Sequence, residues 1–339
     1  MSLAIQIEGL DRPIVQTGVD TILRAALRAG VGFPYECNSG GCGSCKFEIV
    51  SGSIENLWPE APGLIERDRR KNKLLACQCV PASDLVIKVR LDPLCVPHIR
   101  PQRRFAHLVG SSDITHDIRE FRFVTKSAAE FLPGQYASLN IPGVGAPRCY
   151  SMSNLPNRDG EWHFQIRRVH HGRASAWLFE QARAGDRIEI DGPFGHAYLR
   201  EQSLRDIVCV AGGSGLAPMV SIARGAVAAG MLRDRQLHFF YGGRTPRDLC
   251  GEEFLRSFRE FGERIFYYPI VSDAHSIDQY RWSGDVGLVH EWLPRKLDGD
   301  LARFEYYFAG PPPMTQAIQE MLMLTHKVPF AQIHFDRFF

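Results

Sequence analysis

The sequence predicts a multidomain protein, with a small α+β domain first, an antiparallel β-barrel second and a doubly wound α/β domain third. Three observations predict this architecture. The chain has 339 residues, more than one average hydrophobic core organises. Its apolar residues follow three patterns in succession: a helix and strand around a cysteine-rich loop, short alternating stretches, and alternating strands and helices. Segments rich in proline or glycine separate these patterns.

The composition is that of a globular protein and excludes several functional classes. Hydrophobic residues make up 45% of the chain, and 40 basic against 38 acidic residues give a net charge of +2. This balance does not indicate a nucleic-acid-binding surface. The longest small-and-apolar stretch, residues 207–231, is interrupted by Arg224, so no transmembrane helix is expected. The N-terminus lacks the features of an export signal, and a cytoplasmic protein is expected.

The first predicted domain is organised around cysteines. Three of the nine have the x4, x2 spacing of a plant-type [2Fe-2S] site, and a fourth follows further along the chain. They are Cys37, Cys42, Cys45 and Cys77. The glycines between them permit tight turns in which backbone N–H groups approach sulfur. Helical spacing precedes the loop and ends at Gly30, and strand-like alternation follows it.

Two alternatives remain at this stage. Four cysteine thiolates at short spacing also suit a tetrahedral zinc ion. The fourth ligand is either Cys77 or Cys79, because the two are close enough in sequence for each to reach the site. The remaining cysteines are interpreted as small buried hydrophobic residues. These are Cys95, Cys149, Cys209 and Cys250, together with Cys79 if it is not a ligand.

Residues 1–92 resemble the plant-type ferredoxin family. The resemblance implies a β-grasp-like fold and a [2Fe-2S] cluster. It also favours Cys77 as the fourth ligand, because Leu-Leu-Ala-Cys-Gln is similar to the segment that carries the last ligand in that family. Basic and acidic residues balance at 11 each in this region. We therefore expect docking to a partner through local patches and shape rather than gross charge.

The second domain follows a linker at residues 93–101, which contains three prolines and no periodicity. Short alternating stretches separated by turns then predict a small antiparallel β-barrel over residues 102–199. Two motifs lie in it, Arg-Cys-Tyr-Ser at 148–151 and Gly-Arg-Ala-Ser at 172–175. The second motif is expected at a helix start, where free N–H groups suit a pyrophosphate.

Together these motifs resemble the ferredoxin-NADP reductase superfamily, which binds FAD. The resemblance implies that Arg148 pairs with the flavin pyrophosphate, that Tyr150 stacks on the flavin and that Ser151 lies near flavin N5. It places Gly172 and Ser175 at the pyrophosphate. Arg168 or Arg167 would add positive charge there, and a solvated arginine at the strand edge is the alternative interpretation. FMN is the alternative flavin.

The third domain, residues 200–339, begins with an apolar strand that enters a glycine-rich turn, followed by a helical segment. Such a turn lets the backbone approach a dinucleotide phosphate. Its residues are Gly212, Gly213, Ser214 and Gly215. Further strands and helices alternate after it, which predicts a parallel doubly wound sheet.

This region is similar to the pyridine-nucleotide domain of the same superfamily. The resemblance implies that the glycine turn binds the pyrophosphate and that Gly310 and Pro311 lie near the nicotinamide. Many members have a cysteine where this chain has Ala309, so thiol assistance is not expected. A carboxylate and an aromatic ring near the C-terminus approach the flavin and nicotinamide in the superfamily. Asp336 and Phe338 are the candidates, and a terminal hydrophobic strand is the alternative.

The choice of nucleotide depends on the segment after the second strand of this domain. Arg244 and Arg247 stand where a 2′-phosphate would be recognised. The same run nevertheless resembles NADH-using oxygenase reductases. NADH is therefore expected, with NADPH as the alternative.

The order of the three domains resembles that of the single-chain NADH reductases of bacterial oxygenases. The resemblance implies electron transfer from NADH to FAD, to the [2Fe-2S] cluster, and on to a terminal oxygenase or its ferredoxin. We expect the reductase component of an aromatic-ring-hydroxylating dioxygenase with a Rieske oxygenase. One alternative is the reductase of a soluble di-iron monooxygenase of the phenol, toluene or methane type. The other is a zinc-bound interaction module without redox function.

Overall fold

The computed structural model describes residues 2–338. Its residues form two compact units, one of residues 2–103 with 191–195 and the other of residues 104–190 with 196–338. The boundaries of the three domains, at 1–92, 102–199 and 200–339 with a linker at 93–101, stay a prediction. Within the described part of the chain, no helix has the length and apolar character that a bilayer crossing requires.

The N-terminal region has a mixed five-stranded sheet in the order β2-β1-β7-β3-β5, with β1 and β7 parallel. A separate two-stranded sheet pairs β4 with β6. Helix α1 buries the apolar positions whose spacing predicted it, and the Thr21 side chain caps it by accepting from Arg24 N. The elements are β1 (Ser2–Ile7), β2 (Ile14–Thr17), α1 (Ile22–Arg28), β3 (Lys46–Ser51), β4 (Ile54–Asn56), α2 (Glu66–Arg70), β5 (Leu74–Leu75), β6 (Cys79–Pro81) and β7 (Leu85–Lys88).

The middle region is a six-stranded sheet in the order β11-β10-β13-β8-β9-β12. A bridge between Met152 and Phe164 joins the two outer strands of this order, so that the sheet closes on itself around an apolar core. The helix α3 continues as a π-helical turn over Trp177–Gln181. The elements are β8 (Gln102–Asp113), β9 (Ile118–Thr125), β10 (Tyr136–Asn140), β11 (Arg148–Ser151), β12 (Glu161–Arg167), α3 (Arg173–Ala176) and β13 (Arg187–Phe194).

The C-terminal region is a six-stranded parallel sheet in the order β17-β16-β15-β14-β18-β19. Apolar clusters cover both faces, as expected for a doubly wound sheet. The elements are β14 (Asp206–Gly212), α4 (Leu216–Ala228), β15 (Leu237–Gly243), α5 (Glu252–Arg256), β16 (Ile265–Val271), α6 (Ile277–Tyr280), β17 (Asp285–Val286), α7 (Val289–Lys296), β18 (Phe304–Gly310), α8 (Pro312–Glu320) and β19 (Ile333–Arg337).

Candidate functional site

The four predicted cysteine ligands meet as two pairs. The thiols of Cys37 and Cys42 hydrogen-bond to each other, and so do those of Cys45 and Cys77. The bond from Cys42 lowers the pKa of Cys37 to about 5, because it stabilises the thiolate. A thiolate is the form that binds a metal. The loop between α1 and β3, together with Cys77 between β5 and β6, therefore presents two neighbouring two-sulfur sites.

The pairing of the cysteine sulfurs distinguishes between a [2Fe-2S] cluster and a zinc ion, both of which the cysteine spacing allows. Ligands of one tetrahedral zinc ion lie about 2.3 Å from the metal, so all four sulfurs would be close together. Among residues 2–338, however, no three cysteine sulfurs lie within 4.8 Å of one another. Two pairs suit two iron atoms that each take two thiolates. The donor set thus fits a [2Fe-2S] cluster better than a single zinc ion.

Backbone amides of the loop point at the sulfur atoms. The amides of Ser39 and Cys42 each donate to Cys37 Sγ at 3.4 Å, and the Ser44 amide donates to Cys42 Sγ at 3.4 Å. Such hydrogen bonds tune the potential of an iron–sulfur centre. Asn38 also lies in this loop, and its buried side-chain amide has no hydrogen-bond partner among the described residues. A buried amide without a partner indicates that the site is shaped to bind a further polar group.

Cys79 lies outside this arrangement. It is fully buried on β6, and burial raises the pKa of its thiol to about 12. Because the Cys45 thiol hydrogen-bonds to Cys77, the structure favours Cys77 as the fourth ligand, as the family resemblance did. Cys209 is likewise fully buried, and burial raises the pKa of its thiol.

The predicted flavin residues lie on β11, an outer strand of the barrel sheet. Ser151 is buried, and its hydroxyl has no hydrogen-bond partner among residues 2–338. Burial raises the pKa of the Tyr150 phenol to about 12, which keeps it neutral. The Arg148 guanidinium is exposed and donates to the carbonyls of Ala146 and Pro147. An available cation and an orphaned buried hydroxyl on one strand fit a bound flavin nucleotide.

The second flavin motif forms a tight turn at the start of α3. An added Cβ at Gly172 would lie 2.8 Å from Ser175 Oγ, so the turn has no room for a side chain. The Ser175 hydroxyl accepts from Val169 N at 3.1 Å and donates to Gly172 O at 3.1 Å. The Ser175 hydroxyl therefore stabilises the turn that precedes α3. Its contact with the pyrophosphate stays a prediction.

The neighbouring arginines have different partners, which the sequence did not resolve. Arg168 forms an ion pair with Glu180, on the π-helical turn after α3. Arg167 Nε donates to Asp117 Oδ2 at 2.6 Å. One Arg167 terminal nitrogen lies 3.4 Å from the position of a Cβ on Gly213. Arg167, rather than Arg168, therefore lies beside the glycine turn of the nucleotide region.

That glycine turn and the Gly310 turn approach each other at the carboxyl ends of β14 and β18. A Cβ on Gly215 would lie 1.9 Å from Ala309 O, and one on Gly212 would lie 2.8 Å from Met314 Sδ. Gly310 adopts φ +153 and lies against Gly212 in the same way. The two strand ends therefore form a backbone-lined cradle that side chains would fill. Such a cradle fits a dinucleotide phosphate.

Several further residues complete this edge of the sheet. Ser214 is half-buried within the turn, and Pro311 is exposed at the start of α8. The Tyr241 hydroxyl, which the sequence analysis did not single out, donates to Gly213 O at 3.1 Å. No sequence signal marks Tyr241, because its partner lies in the turn after the neighbouring strand β14.

The structure brings both C-terminal candidates to the cradle. Asp336 on β19 is in register with Ala309 on β18 and is buried. The Phe338 amide donates to Gly310 O at 3.3 Å. Both residues therefore lie beside the turn predicted to contact nicotinamide.

Arg244 and Arg247 are exposed after β15. The nearby Asp248 carboxylate accepts from Thr245 N at 2.8 Å and from Thr245 Oγ1 at 2.9 Å. The Asp248 carboxylate therefore caps the turn that begins at Thr245. The charged side chains that this segment exposes to solvent are mainly cationic. Recognition of NADH rather than NADPH stays a prediction.

Three protein families match successive parts of the chain. The 2Fe-2S iron-sulfur cluster binding domain matches residues 5–82. The oxidoreductase FAD-binding domain matches residues 106–198, and the oxidoreductase NAD-binding domain matches residues 209–320. These matches confirm the predicted fold class and the predicted cofactors [2Fe-2S], FAD and NAD(H).

Relatives match almost the whole chain. Ferredoxin--NAD(P)(+) reductase CarAd of Metapseudomonas resinovorans is 42% identical over 323 residues, covering 94% of each chain. The ferredoxin--NAD(+) reductase component of the alkene monooxygenase system of Xanthobacter autotrophicus is 40% identical, covering 94% of this chain and 95% of its own. The solved structure of the ferredoxin reductase in carbazole 1,9a-dioxygenase is 38% identical with a TM-score of 0.89. It covers 100% of this chain and 99% of that one.

Proposed function

The chain belongs to the family of ferredoxin–NAD(P)+ reductases, and from that premise we propose that it is the NADH-dependent reductase component of an aromatic-ring-hydroxylating dioxygenase system. Its electron acceptor is then a Rieske oxygenase or the ferredoxin of that oxygenase. The chain is an oxidoreductase that uses NAD(H), FAD and a [2Fe-2S] cluster. A cysteine-bound cluster is typical of a reducing compartment, and we propose the cytoplasm as its location.

The observation that carries the proposal is the paired-cysteine loop in the same chain as a flavin strand and a nucleotide cradle. When bound, FAD takes two electrons from NADH and passes them on singly, as a [2Fe-2S] cluster requires. The protein has to hold, orient and shield these groups, and it needs no acid, base or nucleophile for the transfer.

Each predicted residue then has a proposed role. Arg148 and the turn at Gly172 and Ser175 hold the flavin pyrophosphate, Tyr150 covers the flavin, and Ser151 lies near N5. Arg168, which is exposed and paired with Glu180, is the proposed additional cation near the pyrophosphate. The full proposed set is Cys37, Cys42, Cys45 and Cys77 for the cluster; Arg148, Tyr150, Ser151, Arg168, Gly172 and Ser175 for FAD; and Gly212, Gly213, Ser214, Gly215, Arg244, Gly310, Pro311, Asp336 and Phe338 for the nucleotide.

The Rieske acceptor is supported by the match to the reductase in carbazole 1,9a-dioxygenase and by the expected potential. A plant-type cluster at about −400 mV can reduce a higher-potential Rieske centre. The 40% identity to an alkene monooxygenase component favours a second candidate, in which the acceptor is a di-iron monooxygenase. Both candidates keep the same internal order of carriers.

The partner assay mixes the reductase anaerobically with NADH and either a purified Rieske oxygenase or a purified di-iron monooxygenase. We expect rapid bleaching of the Rieske absorbance and slow reduction of the di-iron protein. Faster reduction of the di-iron protein would select the second candidate.

A cysteine variant tests the internal order of carriers. Cys42→Ser should lose the cluster and acceptor reduction, because one iron loses a ligand, but should keep NADH-dependent reduction of a small dye at the flavin. Cys95→Ser, outside the loop, is the matched control and should keep both activities. Equal loss of dye reduction in a folded Cys42→Ser protein would show that the two steps are not separate.

A further inference from the structure

Helix α4 lies between the nucleotide cradle and the strand that carries Ser151. It begins directly after Gly215, and both its sheet-facing and its opposite sides are buried. A Cβ on Gly225 would lie 2.8 Å from Pro133 Cγ, and one on Gly134 would lie 3.0 Å from Ile222 Cδ1. One side of the helix thus packs directly on the barrel loop at Pro133 and Gly134.

Two hydrogen bonds join the same side of α4 to the chain that follows Ser151. Ser221 Oγ donates to Asn154 O at 2.8 Å, and this bond is buried. An Arg224 terminal nitrogen donates to Ser153 O at 2.7 Å. The two acceptors are backbone carbonyls two and three residues beyond Ser151. A movement of α4 is therefore transmitted to the end of β11.

Ser153, whose carbonyl accepts from Arg224, is also hydrogen-bonded to strands β9 and β12 of the barrel. Ser153 N donates to His163 O at 2.9 Å, and Ser153 Oγ donates to Glu120 Oε2 at 3.1 Å. Glu120 Oε2 also accepts from Gln165 Nε2 at 3.1 Å. Because Ser153 is fully buried, its carbonyl has no water to replace a lost donor.

Arg224 is held by more than one group. Its guanidinium lies over the Phe254 ring of α5 at 5.6 Å from the ring centre. The Glu120 carboxylate attracts it electrostatically, while burial lowers the pKa of the guanidinium. A partly buried cation with an aromatic, an anionic and a carbonyl neighbour has a defined position.

We propose that Arg224 is a positioning residue for the reaction between NADH and the flavin. By holding the Ser153 carbonyl, it fixes the strand that carries Ser151 relative to the helix that starts at the nucleotide cradle. Ser221 assists through Asn154. The inference rests on the proposed roles of Ser151 and of the glycine turn. Arg224 itself contacts neither cofactor in this account.

The reaction is sensitive to this geometry. Bound FAD would accept a hydride, a hydrogen with two electrons, from C4 of NADH at its N5, and the products would be NAD+ and reduced flavin. Reacting atoms need a separation of about 3–3.5 Å, and a misplacement of about 1 Å can cost on the order of 100-fold in rate. A positioning residue therefore changes the limiting rate more than the affinity for NADH.

The test compares Arg224→Gln, Arg224→Lys and Ser221→Ala in the FAD- and cluster-loaded full chain. Arg256→Gln is the matched control, because Arg256 is an exposed arginine paired with Glu252. Stopped-flow reduction by NADH gives the limiting rate and the apparent dissociation constant. Hydrogen exchange over residues 151–155, without nucleotide, reports the strand end independently of activity.

For Arg224→Gln we expect the limiting rate to fall about tenfold or more, with the dissociation constant within about twofold and faster exchange over 151–155. Arg224→Lys should restore part of the rate, and Arg256→Gln should match the wild type. A rate within about twofold of the wild type, or equal losses in rate and affinity, would overturn the proposal.

Two further outcomes are distinguishable. If Arg224→Gln does not fold, the limiting rate and the dissociation constant of Ser221→Ala are judged by the same criteria. For that variant we expect a smaller loss of rate. If NADH does not reduce the flavin of the wild type, the proposed function itself is wrong.

Discussion

Gly43 and Gly63 approach each other so closely that neither position has room for a side chain. A Cβ on Gly43 would lie 2.4 Å from Gly63 O, and one on Gly63 would lie 2.6 Å from Gly43 N. Gly43 also has φ +76, which favours glycine. Gly63 closes the cluster loop further by donating to Gly40 O at 2.9 Å. Two glycines far apart in sequence thus give the cysteine loop its shape.

Gly43→Ala is expected to lose most of the cluster, because the new methyl group displaces the Gly63 carbonyl. The matched control is Gly9→Ala, since Gly9 has φ +86 but no neighbour within 4 Å. The positive φ alone should cost each variant about 1–2 kcal/mol of unfolding free energy. Iron content per chain and thermal unfolding measure the two effects. Equal iron content in both variants would contradict the steric argument.

Individual residues were predictable only where a local motif marks them. The cysteine spacing predicted that Cys37, Cys42 and Cys45 share one site, because they are close in sequence. It did not separate Cys77 from Cys79, and only the family resemblance favoured Cys77. Gly63 was missed, since its partner lies twenty positions earlier and no motif joins them. Arg167 and Arg168 were indistinguishable in sequence, because the ion pairs that separate them, with Asp117 and Glu180, depend on the folded barrel.

At the scale of elements, the carboxyl ends of β14 and β18 together form the nucleotide cradle. Their parallel pairing, with Ala211 opposite Ala309, brings the two predicted turns side by side. This juxtaposition was predictable from the alternation of strands and helices, because parallel strands present their carboxyl ends at one edge. The closure of the barrel through Met152 and Phe164 was not, since one isolated bridge leaves no periodic pattern.

Gly215→Ala is expected to weaken NAD+ binding about tenfold or more while FAD is retained, because the methyl group would meet the Ala309 carbonyl at 1.9 Å. Gly242→Ala is the control at the same sheet edge, where the nearest atom would lie at an ordinary 3.6 Å. Calorimetric titration with NAD+ measures both. An affinity loss in Gly242→Ala as large as in Gly215→Ala would refute the cradle.

A second element-scale prediction concerns acid stability. His238 on β15 stacks against Phe266 and Tyr268, and burial lowers its pKa from 6.5 to about 4. Asp206 and Asp298 oppose this shift and Arg303 adds to it. Because the folded pKa is depressed, the associated stability is present above about pH 6.5. It is lost as the pH falls towards 4, up to about 3 kcal/mol.

His238→Gln should therefore flatten the dependence of unfolding free energy on pH between about 6.5 and 4. His107→Gln is the control, because His107 is exposed. Urea unfolding at a series of pH values measures the slope. The same slope in His238→Gln and the wild type would contradict the assignment.

For the whole molecule, the charge distribution sets how a partner is approached. The net charge is +2, and residues 1–92 carry equal numbers of acidic and basic groups. Strongly steered associations gain about 10–1,000-fold in rate and lose it at high salt. This chain lacks the gross charge for such steering. The order of the carriers was predictable from sequence, whereas the acceptor was not, because another protein contributes half of that interface.

Reduction of the acceptor protein by the reductase is accordingly expected to change by less than about threefold between low and high salt. The measurement is the second-order rate constant at about 0.05 and 0.5 M sodium chloride, with dye reduction as the control for the flavin step. A steep decline with salt would contradict this prediction and show that electrostatic steering controls the approach to the partner.

The central claim is that one chain carries electrons from NADH through flavin to an iron–sulfur cluster. The most direct test is an anaerobic titration of the purified protein with NADH, followed by visible absorbance and by electron paramagnetic resonance. We expect flavin and red-brown cluster absorbance to bleach together and the signal of a reduced [2Fe-2S] cluster to grow. Flavin bleaching without that signal, in protein that contains iron, would contradict the claim.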